Sequence, residues 1–215
     1  TNATATADTT VTLERPGVFS TDITATGSYL GANNGYQAFA DVTALVQANG
    51  TGAYRLSGVA MADVVGVNNN NNYGGWWMAV FYQLPTDPLR NLALFDGLDV
   101  VSGGAPQNAT ISGFLVPNAG FDGKLGVVTF EGDNTLTGDQ LFFNGGAALS
   151  NAANPSTNFF NGTRSLLGLP VSNVGDLPQL AGTAQSMSGM DLDVIDITAK
   201  LSAGQTSAPI QATST

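Results

Sequence analysis

The segment Asp191-Leu192-Asp193-Val194-Ile195-Asp196-Ile197 decides the fold class, and polar and apolar side chains alternate over its first residues, Asp191-Leu192-Asp193. Successive side chains of a β-strand point to opposite faces, so the segment predicts a strand that carries the carboxylates of Asp191 and Asp193 on one face. Similar runs recur along the chain, separated by Gly, Pro, Asn and Asp about every ten residues. The other predicted strands are Val11–Leu13, Ile23–Tyr29, Ala53–Val59, Trp76–Gln83, Leu92–Val101, Ala109–Val116, Leu125–Glu131, Asp139–Phe143 and Ser207–Thr213.

Such a series of strands predicts an all-β fold. The arrangement expected is a two-sheet antiparallel β-sandwich of jelly-roll type with one or two short helical turns. The chain of 215 residues is long enough for one large β domain or two small ones, and a single domain over residues 1–215 is the more economical expectation.

Two short segments interrupt the strand pattern in the same way, Asp41-Val42-Thr43-Ala44-Leu45 and Asp196-Ile197-Thr198-Ala199-Lys200-Leu201. In each, the Asp is expected to cap one helical turn, and a glycine, Gly50 or Gly204, follows before the next strand. The repetition indicates two related crossovers between sheets, or only a common capping sequence.

The most apolar stretch runs from Gly74-Gly75-Trp76-Trp77-Met78-Ala79-Val80-Phe81-Tyr82-Gln83-Leu84-Pro85 to Leu98. Both faces of its first strand are apolar, which predicts a central strand buried on both sides. Pro85 and Pro88 are expected to form the turn before a returning strand from about Asn91. The alternative is an exposed row of aromatic rings that stacks on sugars.

Composition excludes most catalytic chemistry. The chain has no histidine and no cysteine, which rules out Ser-His-Asp triads, thiolate nucleophiles and histidine-ligated metals. We therefore expect a protein that is not an enzyme, with an aspartate-only enzyme as the remaining alternative. A net charge of −10 argues against nucleic acid, which requires clustered Lys and Arg.

Few residues carry charge, only 10%, so Thr, Ser, Asn and Gly must cover the surface. A surface of this composition is typical of secreted and cell-surface β proteins, and we expect an extracellular or cell-surface location. No stretch reaches the 18 apolar residues of a membrane span, so no membrane span is predicted.

Nearly all the acidic residues are aspartate, with Glu14 and Glu131 the only glutamates. Calcium is the cation that binds Asp together with Asn and backbone carbonyls, so Ca²⁺ is the expected cofactor if there is one. One candidate metal site comprises Asp133 and Asp139 with Asn158 or Asn161 from a later loop, and a second comprises Asp191 and Asp193. Capping and solvated turn aspartates are the alternative explanation.

Several short sequence motifs occur in a fixed order along residues 36 to 213. They are Tyr36–Thr43, Gly74–Trp77, Pro88–Gly97, Glu131–Asp133 with Leu136–Asp139, Asn158–Asn161, Met190–Val194 and Gly204–Ala208. In this order, more than in any single motif, the chain resembles a widespread module of large bacterial exported and cell-surface proteins.

The resemblance implies a large surface or secreted protein, and the family provides no catalytic residues to carry over. Members of that family commonly place another strand before the equivalent of Thr1 and continue beyond the equivalent of Thr215. Either the chain is an excerpt of a longer protein, or its sandwich accepts a strand from a neighbour. Residues 1–10 alternate Thr with small side chains, so they are either an exchanged N-terminal strand or a flexible end.

Together these features predict a non-enzymatic extracellular structural protein, a building block of a bacterial surface filament or adhesive appendage. Its expected partners are copies of itself, joined by strand pairing, and a glycan or the cell surface. The alternative function is a calcium-dependent, carbohydrate-binding module of a larger surface protein.

Overall fold

A computed structural model describes residues 6–31, 35–60, 74–130 and 132–214. The residues fall into two compact units, one of Thr1–Asn68 with Asp96–Val100 and one of Asn69–Phe95 with Val101–Thr215. A single domain over residues 1–215 stays a prediction. In the described part of the chain, no helix is long and apolar enough to cross a membrane.

The first unit is built on antiparallel strands. The strands and the helix are β1 (Thr10–Arg15), β2 (Phe19–Thr24), β3 (Gly27–Leu30), β4 (Tyr36–Phe39), α1 (Thr43–Asn49) and β5 (Arg55–Ser57). One sheet has the order β2-β1-β5, and β3 pairs with β4. A tight turn joins β1 to β2 because Gly17 takes a φ of 79°, which side chains disfavour. Leu13 in the central strand β1 is the buried apolar side chain of this sheet.

The described residues of the second unit form two sheets. Its strands are β6 (Gln107–Ser112), β7 (Lys124–Thr129), β8 (Gln140–Phe143), β9 (Arg164–Leu166), β10 (Leu169–Pro170), β11 (Asp191–Asp196) and β12 (Ser207–Thr213), with one 3-10 turn at Thr198–Lys200. The sheet orders are β10-β9-β11-β7 and β6-β12-β8. All pairs are antiparallel except β9 with β11, which run parallel.

One hydrophobic cluster joins these two sheets. Leu141 and Phe143 of β8 and Ala208 of β12 pack in the same cluster as Ile195 of β11 and Ile197 just beyond it. Inward side chains therefore follow the period of two that the sequence indicates. The all-β prediction is confirmed, whereas the jelly-roll connection of the strands stays a prediction.

The predicted strands Trp76–Gln83 and Leu92–Val101 are wrong, because residues 74–101 contain no β-strand. Far from being buried on both faces, Val80 is 56% exposed, Phe81 55% and Tyr82 76%. The physical reason is that none of the described strands pairs with this stretch. Among described residues, the backbone of this stretch makes one hydrogen bond within the structure, from the Asp87 N–H to the Leu84 carbonyl.

The two predicted helical turns are confirmed, at α1 and at the 3-10 turn. Each aspartate lies one residue before the N-cap position of its helical segment instead of at that position. Asp41 accepts a hydrogen bond from the Thr43 N–H at 2.9 Å, and Asp196 accepts one from the Thr198 N–H at 2.8 Å. Thus each Asp forms the same local turn.

Candidate functional site

Asp191 and Asp193 lie on the inner face of β11, as the sequence period predicts. Asp191 is 0% exposed and Asp193 1%, so neither carboxylate reaches water. The backbones of β7 and the parallel strand β9 flank β11, with Thr129 opposite Asp191 and Ser165 opposite Asp193. Two adjacent carboxylates are therefore enclosed by polar side chains inside the second unit.

The two oxygens of Asp191 have different surroundings. Its Oδ1 accepts hydrogen bonds from the backbone N–H groups of Asn161 at 3.0 Å, Gly162 at 3.0 Å and Thr163 at 3.2 Å. Its Oδ2 is buried and has no hydrogen-bond partner. One oxygen thus fixes the loop before β9, and the other lacks the partner that a buried carboxylate requires.

Burial raises the pKa of Asp191 to about 7. The three backbone N–H groups oppose this rise because they favour the charged form, while the neighbouring charge of Asp193 adds to it. Burial also raises the pKa of Asp193, against hydrogen bonds from Ser165, Asn154 and Thr163. The pair therefore readily holds a proton near neutral pH.

Four side chains form a closed ring beside Asp191. The Thr163 Oγ1 lies 2.8 Å from the Asn154 Oδ1 and 3.1 Å from the Asp193 Oδ2. The Ser165 hydroxyl donates to the Asp193 Oδ1 at 2.6 Å and accepts from the Asn154 Nδ2 at 3.3 Å. Each of the four residues is no more than 3% exposed. A hydroxyl, a carboxylate, a second hydroxyl and an amide therefore contact one another directly.

The other predicted metal site is only partly assembled. The loop containing Asp133 and Asp139 does lie against residues 157–160, through backbone hydrogen bonds from Gly138 to Thr157, from Phe159 to Asp139 and from Asp133 to Phe160. Asn158, however, directs its Nδ2 at the Asp133 carbonyl, and its Oδ1 has no partner. The amide thus acts here as a donor to the loop.

Asn161 belongs to the Asp191 site as much as to this loop. Its backbone N–H binds Asp191, and its Nδ2 donates to the Ala153 carbonyl at 3.0 Å, while its Oδ1 has no hydrogen-bond partner. Within the ranges that the structure describes, no three acidic side chains come together at one place. Calcium stays a prediction at both places.

Sequence reasoning missed Asn154, Thr163 and Ser165. A signal exists in Asn161-Gly162-Thr163-Arg164-Ser165, where polar residues recur every second position before a short strand. That signal identifies a partner for Asp191 and Asp193 only once β9 is known to run parallel to β11. Asn154 lies in a loop and carries no comparable pattern.

A second feature is a groove of about 420 Å³ on the outer face of the sheet β6-β12-β8. Asn108, Thr110, Phe142, Pro209 and Gln211 contribute to its lining, together with Gly145 and Gly146. The Gln211 Nε2 donates to the Asn108 Oδ1 at 2.7 Å. No ionisable side chain is part of this lining, so the groove favours a neutral, polar ligand.

No protein-family model matches the chain, and no curated protein or solved structure does so either. The resemblance to a module of bacterial surface proteins therefore stays an expectation.

Proposed function

We propose that the chain is a non-enzymatic structural building block of an extracellular filament or appendage of the bacterial surface, whose copies join by strand pairing. The observation that supports this most strongly is the free edge of β6. Strand β6 pairs with β12 on one side, and its six residues have no backbone partner on the other side among the described residues. A free edge binds an extended segment through its unpaired N–H and C=O groups.

The direction of these groups follows from Pro209, which lies opposite Thr110 in the pairing of β12 with β6. Proline has no N–H, and the Pro209 carbonyl accepts from the Asn144 N–H on the side of β8. Thr110 therefore belongs to a pair without hydrogen bonds, and its N–H and C=O point away from β12. By the period of two, the same holds for Asn108 and Ser112.

Strand β6 also lacks the devices that protect sheet edges. The sequence Gln-Asn-Ala-Thr-Ile-Ser from Gln107 to Ser112 contains no charge and no proline. By contrast, β2 carries Asp22, β5 carries Arg55 and β7 carries Lys124. Proteins that avoid edge-to-edge association place charged residues or proline on such strands.

The segment that we assign to this edge is Trp76–Leu84 of a second copy. It contains four aromatic residues, its side chains are largely exposed, and its backbone groups have almost no partners among the described residues. Among the described residues, one chain thus contains a free sheet edge and a strand-like segment that pairs with no strand. The predicted donor, residues 1–10, has less support. The Ala25 N–H binds the Thr9 carbonyl, Thr10 already pairs with β2, and residues 1–5 lie outside the described part.

The experiment uses two blocking variants of the full chain. Thr110→Pro removes an outward N–H without affecting a bond to β12, and Val80→Pro interrupts the donor segment. We expect the unmodified chain to form filaments visible by electron microscopy, while each variant alone stays monomeric. A mixture of the two should stop at dimers, since one chain retains a donor and the other retains an edge. Thr110→Val keeps the N–H and should still polymerise.

Monomers of the unmodified chain at high concentration would contradict the proposal, provided that circular dichroism shows a folded protein. Filaments formed by Thr110→Pro would contradict the assignment of β6. Filaments that require residues 1–10 and tolerate Val80→Pro would return the donor role to the N-terminal segment.

Carbohydrate binding is the second candidate, and the uncharged groove on the sheet β6-β12-β8 favours it. A half-buried aromatic ring, Phe142, lies beside the amides of Asn108 and Gln211, a combination suited to the apolar faces and hydroxyls of a sugar. A screen of neutral oligosaccharides with and without EDTA tests it. Binding that Gln211→Ala removes would support the groove, and loss of binding in EDTA would support calcium dependence.

A further inference from the structure

The ring formed by Asn154, Thr163, Asp193 and Ser165 places a nucleophile, an acyl group and a proton path in contact. We propose that Thr163 and Asn154 form an intramolecular ester, with release of ammonia from the Asn154 side chain. This step is a self-modification of one folded chain, so it does not depend on filament formation.

The reacting atoms are already close. The Thr163 Oγ1 lies 2.8 Å from the Asn154 Oδ1. Because a C=O bond is about 1.2 Å long, the Asn154 Cγ is within about 4 Å of the attacking oxygen. A small rotation of either side chain brings the two atoms to the roughly 3–3.5 Å of a near-attack geometry, without moving a strand.

Asp193 is placed to accept the proton of the nucleophile. Its Oδ2 lies 3.1 Å and its Oδ1 3.2 Å from the Thr163 Oγ1. Since burial raises the pKa of Asp193, the carboxylate is a stronger base than an exposed aspartate. The proton passes to Asp193 while the bond between the Thr163 Oγ and the Asn154 Cγ forms.

Ser165 completes the path of that proton to the leaving group. Its hydroxyl donates to the Asp193 Oδ1 at 2.6 Å and accepts from the Asn154 Nδ2 at 3.3 Å. When the carbon–nitrogen bond of Asn154 breaks, the hydroxyl passes a proton from Asp193 to the departing nitrogen. One amide and one alcohol thereby become one ester and one ammonia, with no oxidant and no other reactant.

Enclosure favours the ester over hydrolysis. Asn154 is 0% exposed, Thr163 1%, Ser165 3% and Asp193 1%, so the Thr163 hydroxyl is held against the amide while water, like the departing ammonia, passes only when the site opens transiently. Ammonia is lost to solvent, where it is protonated and diluted, and this draws the reaction forward. In a chain without cysteine, the ester would link the loop at Asn154 to the residue that precedes β9, as a disulfide links segments elsewhere.

The first test is the intact mass of the purified, denatured chain. We expect a mass lower than that of the sequence by one ammonia molecule. Chymotrypsin cleaves after Phe159 or Phe160, between the two linked residues, so the peptides on either side should stay joined. Hydroxylamine, which cleaves esters, should separate them.

Two variants with a similar shape, Thr163→Val and Asp193→Asn, should restore the full mass and leave the peptides unlinked. Thr163→Ser keeps a hydroxyl and should restore the link. Asn161 precedes Gly162, and a succinimide there would also lose ammonia. It would neither join the chymotryptic peptides nor depend on the Thr163 hydroxyl.

The proposal would be overturned if the folded chain without substitutions still had the full mass of its sequence after prolonged incubation, whatever the variants do. A second outcome is a chain of full mass that calcium stabilises against heat, with the effect lost in Asp193→Asn. That result would assign these oxygens to a cation and would also overturn the ester. Loss of ammonia that persists in Thr163→Val would do the same.

Discussion

Gly132 lies so close to the Asp191 carboxylate that a Cβ atom added to Gly132 would stand 2.0 Å from the Asp191 Oδ2. The same atom would stand 2.9 Å from the Gly162 backbone nitrogen, so the backbone also blocks it. Gly132→Ala should therefore displace the carboxylate from its three N–H donors. We expect a loss of about 1–3 kcal/mol in the free energy of unfolding, measured by urea denaturation.

The matched control is Gly126→Ala in β7, where an added Cβ would meet no atom within 4 Å. Alanine is favoured over glycine in a strand interior by roughly 0.5–1 kcal/mol, so this variant should be neutral or slightly more stable. Equal losses in the two variants would show that Gly132 does not confine Asp191.

Stability should fall as the pH rises through neutrality, because Asp191 titrates there. Its pKa is about 7 in the folded chain, against an ordinary value of 3.8. A raised pKa means that the folded state holds the proton more tightly than the unfolded state. The contribution of Asp191 is thus fully present below pH 3.8 and is lost as the pH rises through about 7.

Denaturation with urea at pH 5 and pH 8 measures this contribution. Each pKa unit corresponds to about 1.4 kcal/mol, so a loss of a few kcal/mol is expected between the two conditions. Asp191→Asn cannot ionise and should make the two free energies more alike. A free energy of unfolding that is equal at pH 5 and pH 8 in the unmodified chain would argue against a protonated Asp191.

The period-two pattern of side chains predicts those strands whose position depends on residues close together in the sequence. The strand at Asp191–Asp196 and its two inward carboxylates follow from side-chain alternation, and the strand at Ser207–Thr213 has the expected bounds. The ring with Thr163 and Ser165 could not be found in this way. It depends on the parallel pairing of β9 with β11, which joins residues far apart in the sequence.

At Trp76–Gln83 the local pattern predicts a strand that the structure does not contain. Its high strand propensity is real, but a strand also requires a neighbour to bind its backbone groups, and propensity does not specify one. Apolar residues on both faces predict burial, whereas the side chains of Val80, Phe81 and Tyr82 are exposed. Sequence pattern thus identified a segment suited to pairing without identifying its partner.

The turns at Asp41 and Asp196 should respond alike to substitution. A hydrogen bond from Thr43 lowers the pKa of Asp41, and one from Thr198 lowers the pKa of Asp196. Alanine at either position should reduce the free energy of unfolding, while Asn, which still offers an oxygen to the N–H, should preserve most of it.

Because these pKa values are lowered, the contribution of each turn is present above the ordinary aspartate pKa and is lost as the pH falls through the lowered value. Thermal unfolding at pH 7 and at pH 3 compares the two conditions. An effect of Asp196→Ala that is larger at pH 3 than at pH 7 would contradict the role of the ionised carboxylate.

Adjacent phenylalanines of β8 provide a test of the strand's register. Phe143 is 1% exposed in the core shared by the two sheets, while Phe142 lies half-buried in the outer groove. Phe143→Ala should cost about 3–5 kcal/mol in the free energy of unfolding, since it leaves a cavity. Phe142→Ala should cost clearly less, because solvent can fill the space, and should weaken any binding of neutral sugars. The reverse order of stability would place β8 one residue out of register, since such a slip exchanges the two faces.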